Sequence, residues 1–308
     1  MNVKPNSVPR GEAMRVILLS TILLAANGIT NGDAVSEPAQ YPRANLLVEA
    51  SDLARPEFAK ESQILDARGK QKYAAGHIPG AIWVDAIGWN RSPLTSENQE
   101  PWAKRIGALG IDPDRRVVVY DDNANKDGAR IWWILRYFGF RDVRLLNGGW
   151  RAWQQSGGRV STEETKPSPR KLVLSPVAAR LATKDQVLDA LKSKDVQIVD
   201  ARSRGEYCGE EGSAKRGGAI PGAVHLEWLE VLDDKSQRFK RPEELSELFR
   251  KKGITVDRPA ITYCQSGGRA AVMAFALELM GDDRVRNYYK SWAEWGNAED
   301  TPIIKPPK

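Results

Sequence analysis

The chain has 308 residues, 41% of them apolar and 28% charged, with a formal net charge of +6. That length accommodates two ordinary globular domains, and the basic excess is spread without a run of five or six like charges. No nucleic-acid or membrane surface is therefore indicated, and a mild attraction for small anions is the most the charge supports. Two cysteines, Cys208 and Cys264, and two histidines exclude a disulfide framework and leave no Cys/His cluster for a structural metal.

Lys4, Arg10 and Arg15 precede an apolar run at 16–26, and small polar residues follow. This is the form of a secretory signal, with Met14 as an alternative start, so residues 1–34 are expected to lie outside the fold. The run is short for a bilayer span, which argues for export, to a bacterial periplasm, without stable membrane insertion. A cytoplasmic location is the alternative.

From Tyr41 short apolar runs alternate with helical patterns, the signature of an α/β fold. Strands are expected at 45–48 and 63–66 with a polar helix between them, followed by Asp66-Ala-Arg68 and a short helix to Tyr73. Gly76-His77-Ile78-Pro79-Gly80-Ala81 then forces a rigid turn before the apolar segment 82–84. A helix near 102–109, a buried strand at 116–121, an amphipathic helix at 129–138 stopped by Gly139, a strand at 143–146 and a helix opened by Gly148-Gly149-Trp150 complete this half. Residues 163–175, rich in Lys, Pro, Ser and Thr and without periodicity, form a linker.

After the linker the same text repeats. Val199-Asp200-Ala201-Arg202 answers Leu65-Asp66-Ala67-Arg68, Tyr207 answers Tyr73, and Ala219-Ile220-Pro221-Gly222-Ala223 answers His77-Ile78-Pro79-Gly80-Ala81. The offsets hold steady, 221 − 79 = 142, 264 − 121 = 143 and 292 − 150 = 142, which a gene duplication explains. Residues 208–218 are an insertion in the second copy. The copies part where chemistry would happen, because position 121 is aspartate and position 264 is cysteine. Asp121, Asp122 and Asn123 could in principle hold a metal, but nothing else nearby has ligand spacing, and no metal or other cofactor is expected.

Cys264-Gln265-Ser266-Gly267-Gly268-Arg269 lies between a buried strand (260–263) and an apolar helix (270–280) closed by Gly281. The first N–H groups of that helix have no intrahelical acceptor and its dipole places partial positive charge beside the sulfur. Gly267 and Gly268 allow positive φ, so the amides of Gln265, Ser266, Gly267 and Gly268 can curl around an anion, and Arg269 adds a permanent cation. All of this favours a thiolate, the nucleophilic form. A Cys208–Cys264 disulfide would silence the loop, so both thiols are expected to be unpaired. Four residues separate Cys264 from Arg269 where cysteine phosphatase loops have five, which leaves the ring too small for a phosphoryl group. His77 is expected to stabilise its turn, Asp66 and Asp200 to fix neighbouring loops, and Trp132, Trp133, Trp150 and Trp153 to fill the core and the seam between halves.

On the segment from Tyr73 to Ala81, the cysteine loop and Tyr289-Lys290-Ser291-Trp292-Ala293-Glu294-Trp295, the chain resembles the tandem-domain rhodanese family of thiosulfate and mercaptopyruvate sulfurtransferases. The resemblance implies two tandem rhodanese-like domains, each a mostly parallel sheet flanked by helices on both faces. They would be a non-catalytic copy at 41–160 and a catalytic copy at 179–308, joined by a linker at 161–178. It implies that Cys264 takes up sulfane sulfur as a persulfide, and Arg269 matches the last basic residue of the loop in bacterial members. The expected partners are a small anionic donor such as thiosulfate and a thiophilic acceptor, cyanide or a thiol, with the protein acting as a monomer. Ala219 replaces the usual histidine and Lys290 the usual glycine. An arginine that contacts substrate in some members falls on Glu206 here, which makes Arg202 the remaining anion-binding candidate in that segment. The loop matches neither the version typical of animal thiosulfate enzymes nor that of mercaptopyruvate enzymes, so 3-mercaptopyruvate is the alternative donor. A non-catalytic sulfur carrier is the alternative role.

Overall fold

The computed structural model describes residues 40–94 and 99–307 together with Met1, and the expected signal segment lies outside the described residues. Its first half holds five strands, β1 (Leu47–Val48), β2 (Ser62–Asp66), β3 (Ile82–Trp83), β4 (Arg116–Tyr120) and β5 (Val143–Leu146), in the order β1-β5-β4-β2-β3. The second half has β6 (Gln197–Asp200), β7 (Val224–His225), β8 (Ala260–Tyr263) and β9 (Arg286–Asn287), in the order β7-β6-β8-β9. Every pairing is parallel. Parallel strands need helical crossovers, so both sheet faces are covered and the central strands read as unbroken apolar runs. β4 is buried from Val117 to Tyr120 and β8 along its whole length. The strand expected from Asn45 starts later, because Ala44–Leu46 forms a 3₁₀ turn first.

The two halves close on one another through helices Lys126–Tyr137 and Gly268–Leu279. Trp132 meets Phe275 edge to face at 4.8 Å, and Trp133 stacks on Tyr289 at 5.3 Å, so buried residues of both halves form a single cluster. In helix Gly268–Leu279 every residue but Arg269 is buried, which is why its sequence is apolar on all sides. The stretch read as a linker lacks regular structure but does not hang free. Arg170 N–H donates to the Gly107 carbonyl at 2.9 Å and Val177 N–H to the Tyr137 carbonyl at 2.7 Å, while Leu172 and Leu174 pack on the core. It is a strap across the first half.

The duplication is visible in buried polar groups as well as in strands. Arg68 reaches Asp66 and the Gly76 carbonyl (2.7 Å) and lies 3.9 Å over the Trp150 ring. Arg202 reaches Asp200 and the Gly218 carbonyl (2.8 Å) and lies 4.2 Å over Trp292. Ile78 N–H donates to the Tyr120 hydroxyl and Ile220 N–H to the Tyr263 hydroxyl, both at 3.2 Å. A charge taken out of water must be met by an opposite charge and further hydrogen bonds, and each half meets this demand in the same way. His77 is fully buried against Tyr73 (3.9 Å), with its ring nitrogens at the carbonyls of Tyr73 and Glu163. In the second half, where Ala219 stands in its place, His225 stacks on Tyr207 at 4.6 Å instead.

Candidate active site

β8 ends at Tyr263 and helix Gly268–Leu279 begins after four intervening residues, so Cys264 stands at the C-terminal edge of the sheet facing a helix N-terminus. Its thiol is turned into the loop, and the Gly267 N–H donates to Sγ at 3.1 Å. Because the helix starts at Gly268, the N–H groups of Gly268, Arg269 and Ala270 lack intrahelical acceptors. The backbone of Cys264 is clamped from below. Its N–H donates to Ser291 Oγ (3.1 Å), Ser291 Oγ–H donates to the Tyr288 carbonyl (2.6 Å), and Trp292 N–H donates to the Cys264 carbonyl (3.0 Å). Ala293 N–H donates to the Gln265 carbonyl, and Asn287 Nδ2 to the Gly267 carbonyl, each at 3.0 Å.

The two glycines have different reasons to be glycine. Gly267 sits at φ +84°, and a Cβ there would lie 2.7 Å from the Tyr289 carbonyl oxygen, so both conformation and space demand it. Gly268 is helical. A Cβ on it would lie 2.4 Å from Nη2 of Arg130, whose guanidinium rests on the start of this helix and reaches the Tyr289 hydroxyl at 3.3 Å. The expectation that both glycines serve a positive φ therefore holds for Gly267 alone. Gly268 makes room for an arginine from the other half of the chain.

Arg269 is in the loop but is not an unopposed cation. Its Nη1 and Nη2 donate to Glu206 Oε2 and Oε1 at 2.5 and 2.9 Å. Burial disfavours the guanidinium, yet the Glu206 hydrogen bond, the charges of Cys264 and Glu206 and a hydrogen bond with Cys264 outweigh it and hold the proton more tightly than usual. Burial likewise opposes the Glu206 carboxylate, but Arg269 overrides it and keeps that carboxyl below its ordinary range. Gln265 Nε2 donates to Ser213 Oγ at 3.1 Å, which brings the 208–218 insertion over the loop. Ser266 is exposed and faces a cleft of about 720 Å³ that is also walled by Asn90 and Pro93 from the first half and by Tyr289 and Lys290 from the second. Cys264 itself is 1% exposed, beneath its loop.

The structure does not present Arg202 to an anion from solvent: it is 1% exposed, its Nε and Nη2 donate to Asp200 and Nη2 also to the Gly218 carbonyl, and Arg68 repeats the arrangement in the half that has no cysteine. Its role is to hold the turn after β6 in place. Cys208 is buried with its thiol 3.4 Å from the Pro307 carbonyl, and both cysteines are unpaired. Two features of the site had no separate signal in the sequence. Ser291 supports the Cys264 backbone at a φ of +52°, rare for a non-glycine residue, and Arg130 lies far away along the chain.

The equivalent loop of the first half is filled by its own side chain. Asp121, 1% exposed, accepts N–H bonds from Asn123 (3.0 Å), Asn125 (2.9 Å), Asp127 (2.8 Å) and Gly128 (2.7 Å). With both oxygens committed to backbone donors, this carboxylate is no metal ligand.

Residues 49–156 and 183–298 each match the rhodanese-like domain. The chain is 35% identical over 262 residues to the thiosulfate sulfurtransferase of Azotobacter vinelandii, spanning 84% of this chain and 96% of that protein. It is 37% identical over 251 residues to the sulfur carrier protein TtuD of Thermus thermophilus, spanning 76% of this chain and 87% of that one. A crystal structure of an Escherichia coli 3-mercaptopyruvate sulfotransferase superposes with a TM-score of 0.71 at 30% identity, covering 80% of this chain and 98% of that chain. A cysteine loop raised on one of two like halves, each matching the same domain, places this chain in the rhodanese-like family with two copies in tandem.

Proposed function

We propose that the protein is a thiosulfate sulfurtransferase that works through a persulfide on Cys264. The carrying observation is the Sγ of Cys264, turned into a loop of amides at a helix N-terminus and accepting the Gly267 N–H. Such a ring stabilises a sulfur anion before and after loading. The thiolate attacks the outer sulfur of thiosulfate, the S–S bond of the donor breaks, and sulfite leaves with its electron pair. The terminal sulfur then passes to cyanide or a thiol, which regenerates the thiolate. With Cys264 beneath its loop, a donor enters when the Glu206–Arg269 pair or the Gln265–Ser213 contact parts.

Mass measurement of the unreduced protein tests this. Thiosulfate adds one sulfur, about 32 Da, and cyanide removes it. An unchanged mass refutes the reading. Running 3-mercaptopyruvate beside thiosulfate ranks the two donors. A carrier role draws support from the likeness to a sulfur carrier protein. It predicts loading without repeated turnover on any small acceptor, whereas an enzyme turns over many times. We also propose export to the periplasm on the strength of the apolar run at 16–26. Recovery of the full-length chain, unprocessed, in the cytoplasmic fraction of a bacterial host refutes it.

A further inference from the structure

We propose that Arg130, contributed by the half that has no cysteine, is a donor-binding residue of the Cys264 loop and takes the sulfonate oxygens of thiosulfate on its guanidinium. The proposal rests on the transfer reading given above and names a group that holds the donor.

Four arginines are buried among the described residues, and three of them are met by a carboxylate: Arg68 by Asp66, Arg180 by Glu278 and Arg202 by Asp200. The fourth, Arg130, is 5% exposed and pairs with none among the described residues. Its Nη1 donates to Asn90 Oδ1 and, at 3.3 Å, to the Tyr289 hydroxyl, while Nε and Nη2 have no acceptor there. The same Nε and Nη2 edge grips aspartate in Arg68 and Arg202, and its fork matches two oxygens of one oxyanion. In Arg130 that edge lies against the start of helix Gly268–Leu279, since a Cβ on Gly268 would come within 2.4 Å of Nη2 and 3.0 Å of Nε. The partial positive charge of the helix end opposes a cation beside it, and burial without a counter-charge adds to the cost. A guanidinium kept in that place calls for an anion, and the loop is built to receive one. Asn90 and Tyr289, which hold Arg130, also wall the cleft that Ser266 faces. Arg91, at the same cleft, is exposed, so water meets its charge.

Thiosulfate presents an outer sulfur to the thiolate and a sulfonate to its surroundings. Attack of the Cys264 thiolate on the outer sulfur forms the Sγ–S bond, the donor's S–S bond breaks, and sulfite leaves with the bonding pair. Three negative charges stand on each side of the step, and neither an oxidant nor a proton is required. A guanidinium fork on the sulfonate offsets the repulsion between thiolate and dianion, and it stays with the charge that gathers on the departing sulfite. Because the fork belongs to the first half and the thiolate to the second, the copy without a nucleophile takes part in holding the donor as well as in the fold.

The test compares kcat/KM for thiosulfate and for glutathione persulfide, whose reacting end bears no sulfonate, in the full-length protein, in Arg130→Met and in Arg130→Lys. Methionine keeps much of the length and removes the charge, whereas lysine keeps the charge. The thiosulfate-to-persulfide ratio should fall at least about tenfold in Arg130→Met, equivalent to roughly 1.4 kcal/mol, and less than about threefold in Arg130→Lys. An arginine that merely joined the halves through Asn90 and Tyr289 would lower both donors together, so a smaller fall in Arg130→Met, or a rise, overturns the assignment. Should Arg130→Met not fold, Arg130→Gln takes its place. A ratio that falls about threefold or more in Arg130→Lys overturns the proposal whichever neutral variant is used. Mass spectra taken in parallel keep the two ideas apart: a wild type that loads sulfur while the neutral variant keeps its ratio sinks the Arg130 assignment alone. A wild type that gains no sulfur from either donor sinks the transfer reading as well.

Discussion

The Asp121 and Cys264 loops occupy the same place in two copies of one fold, yet they solve opposite problems. Each must satisfy the N–H groups that converge between a strand end and a helix start. In the first half, five residues separate Tyr120 from Lys126, and the Asp121 carboxylate turns inward to take four backbone donors. In the second, four residues separate Tyr263 from Gly268, and a sulfur takes one. At their second position the matching helices carry opposite charges, Asp127 in one and Arg269 in the other (269 − 127 = 142, the offset of the repeat). One loop is closed by its own anion and is finished as a structure. The other keeps its donors for an anion that arrives from outside. The lesson is that a cradle becomes inert when the chain supplies the charge the cradle was shaped for.

The comparison is broken most severely at the sulfur. Cys264→Ser should lower transfer by about 10³-fold or more, with the folded state retained, because a hydroxyl at this position is neither an anion nor a sulfur acceptor. Turnover within tenfold of wild type would show that the working sulfur lies elsewhere. At the matching position, Asp121→Ala leaves four N–H groups, those of Asn125 and Gly128 buried, without their acceptor and should cost about 3 to 5 kcal/mol in urea unfolding. A loss under about 1 kcal/mol would mean that the carboxylate does not organise its loop.

The pH dependence of the same group sharpens the contrast. Burial pushes the Asp121 carboxyl up to about 6, against the pull of the N–H bonds from Gly128, Asn123 and Asn125. The folded chain thus holds a proton that the unfolded chain releases above the ordinary value of 3.8. The stability this proton confers is complete below that value and is lost as pH rises through 6. Wild type should therefore lose up to about 3 kcal/mol relative to Asp121→Asn between pH 4 and pH 7. Parallel stability curves for the two proteins would contradict it.

The smallest effect separates the two loop glycines. Gly267→Ala forces a side chain to positive φ against the fixed Tyr289 carbonyl and should cost about 2 kcal/mol. Gly268→Ala displaces only the tip of Arg130 and should cost about 1 kcal/mol. The reverse order in thermal unfolding would mean that Arg130 is held more rigidly than the backbone beneath it.

The sequence alone determined the α/β class, the duplication and the loop that bears the nucleophile. Strand and helix periods, the Pro-Gly turns and the spacing of Cys264 before an apolar helix are local signals, carried by residues close together in the chain. Tertiary structure alone decided what each charge does. Asp-Ala-Arg at 200–202 suggested an anion contact, and only burial against Asp200, Gly218 and Trp292 shows that the arginine is already spent. Composition made 163–175 a linker, while its contacts with Gly107 and the core make it part of the first half. Glu206 and Arg269 lie 63 positions apart, and Arg130 and Gly268 are 138 apart (268 − 130 = 138), so no pattern along the chain announces either meeting. An ionic pair depends on distance and on the exclusion of water, and both are properties of the folded chain.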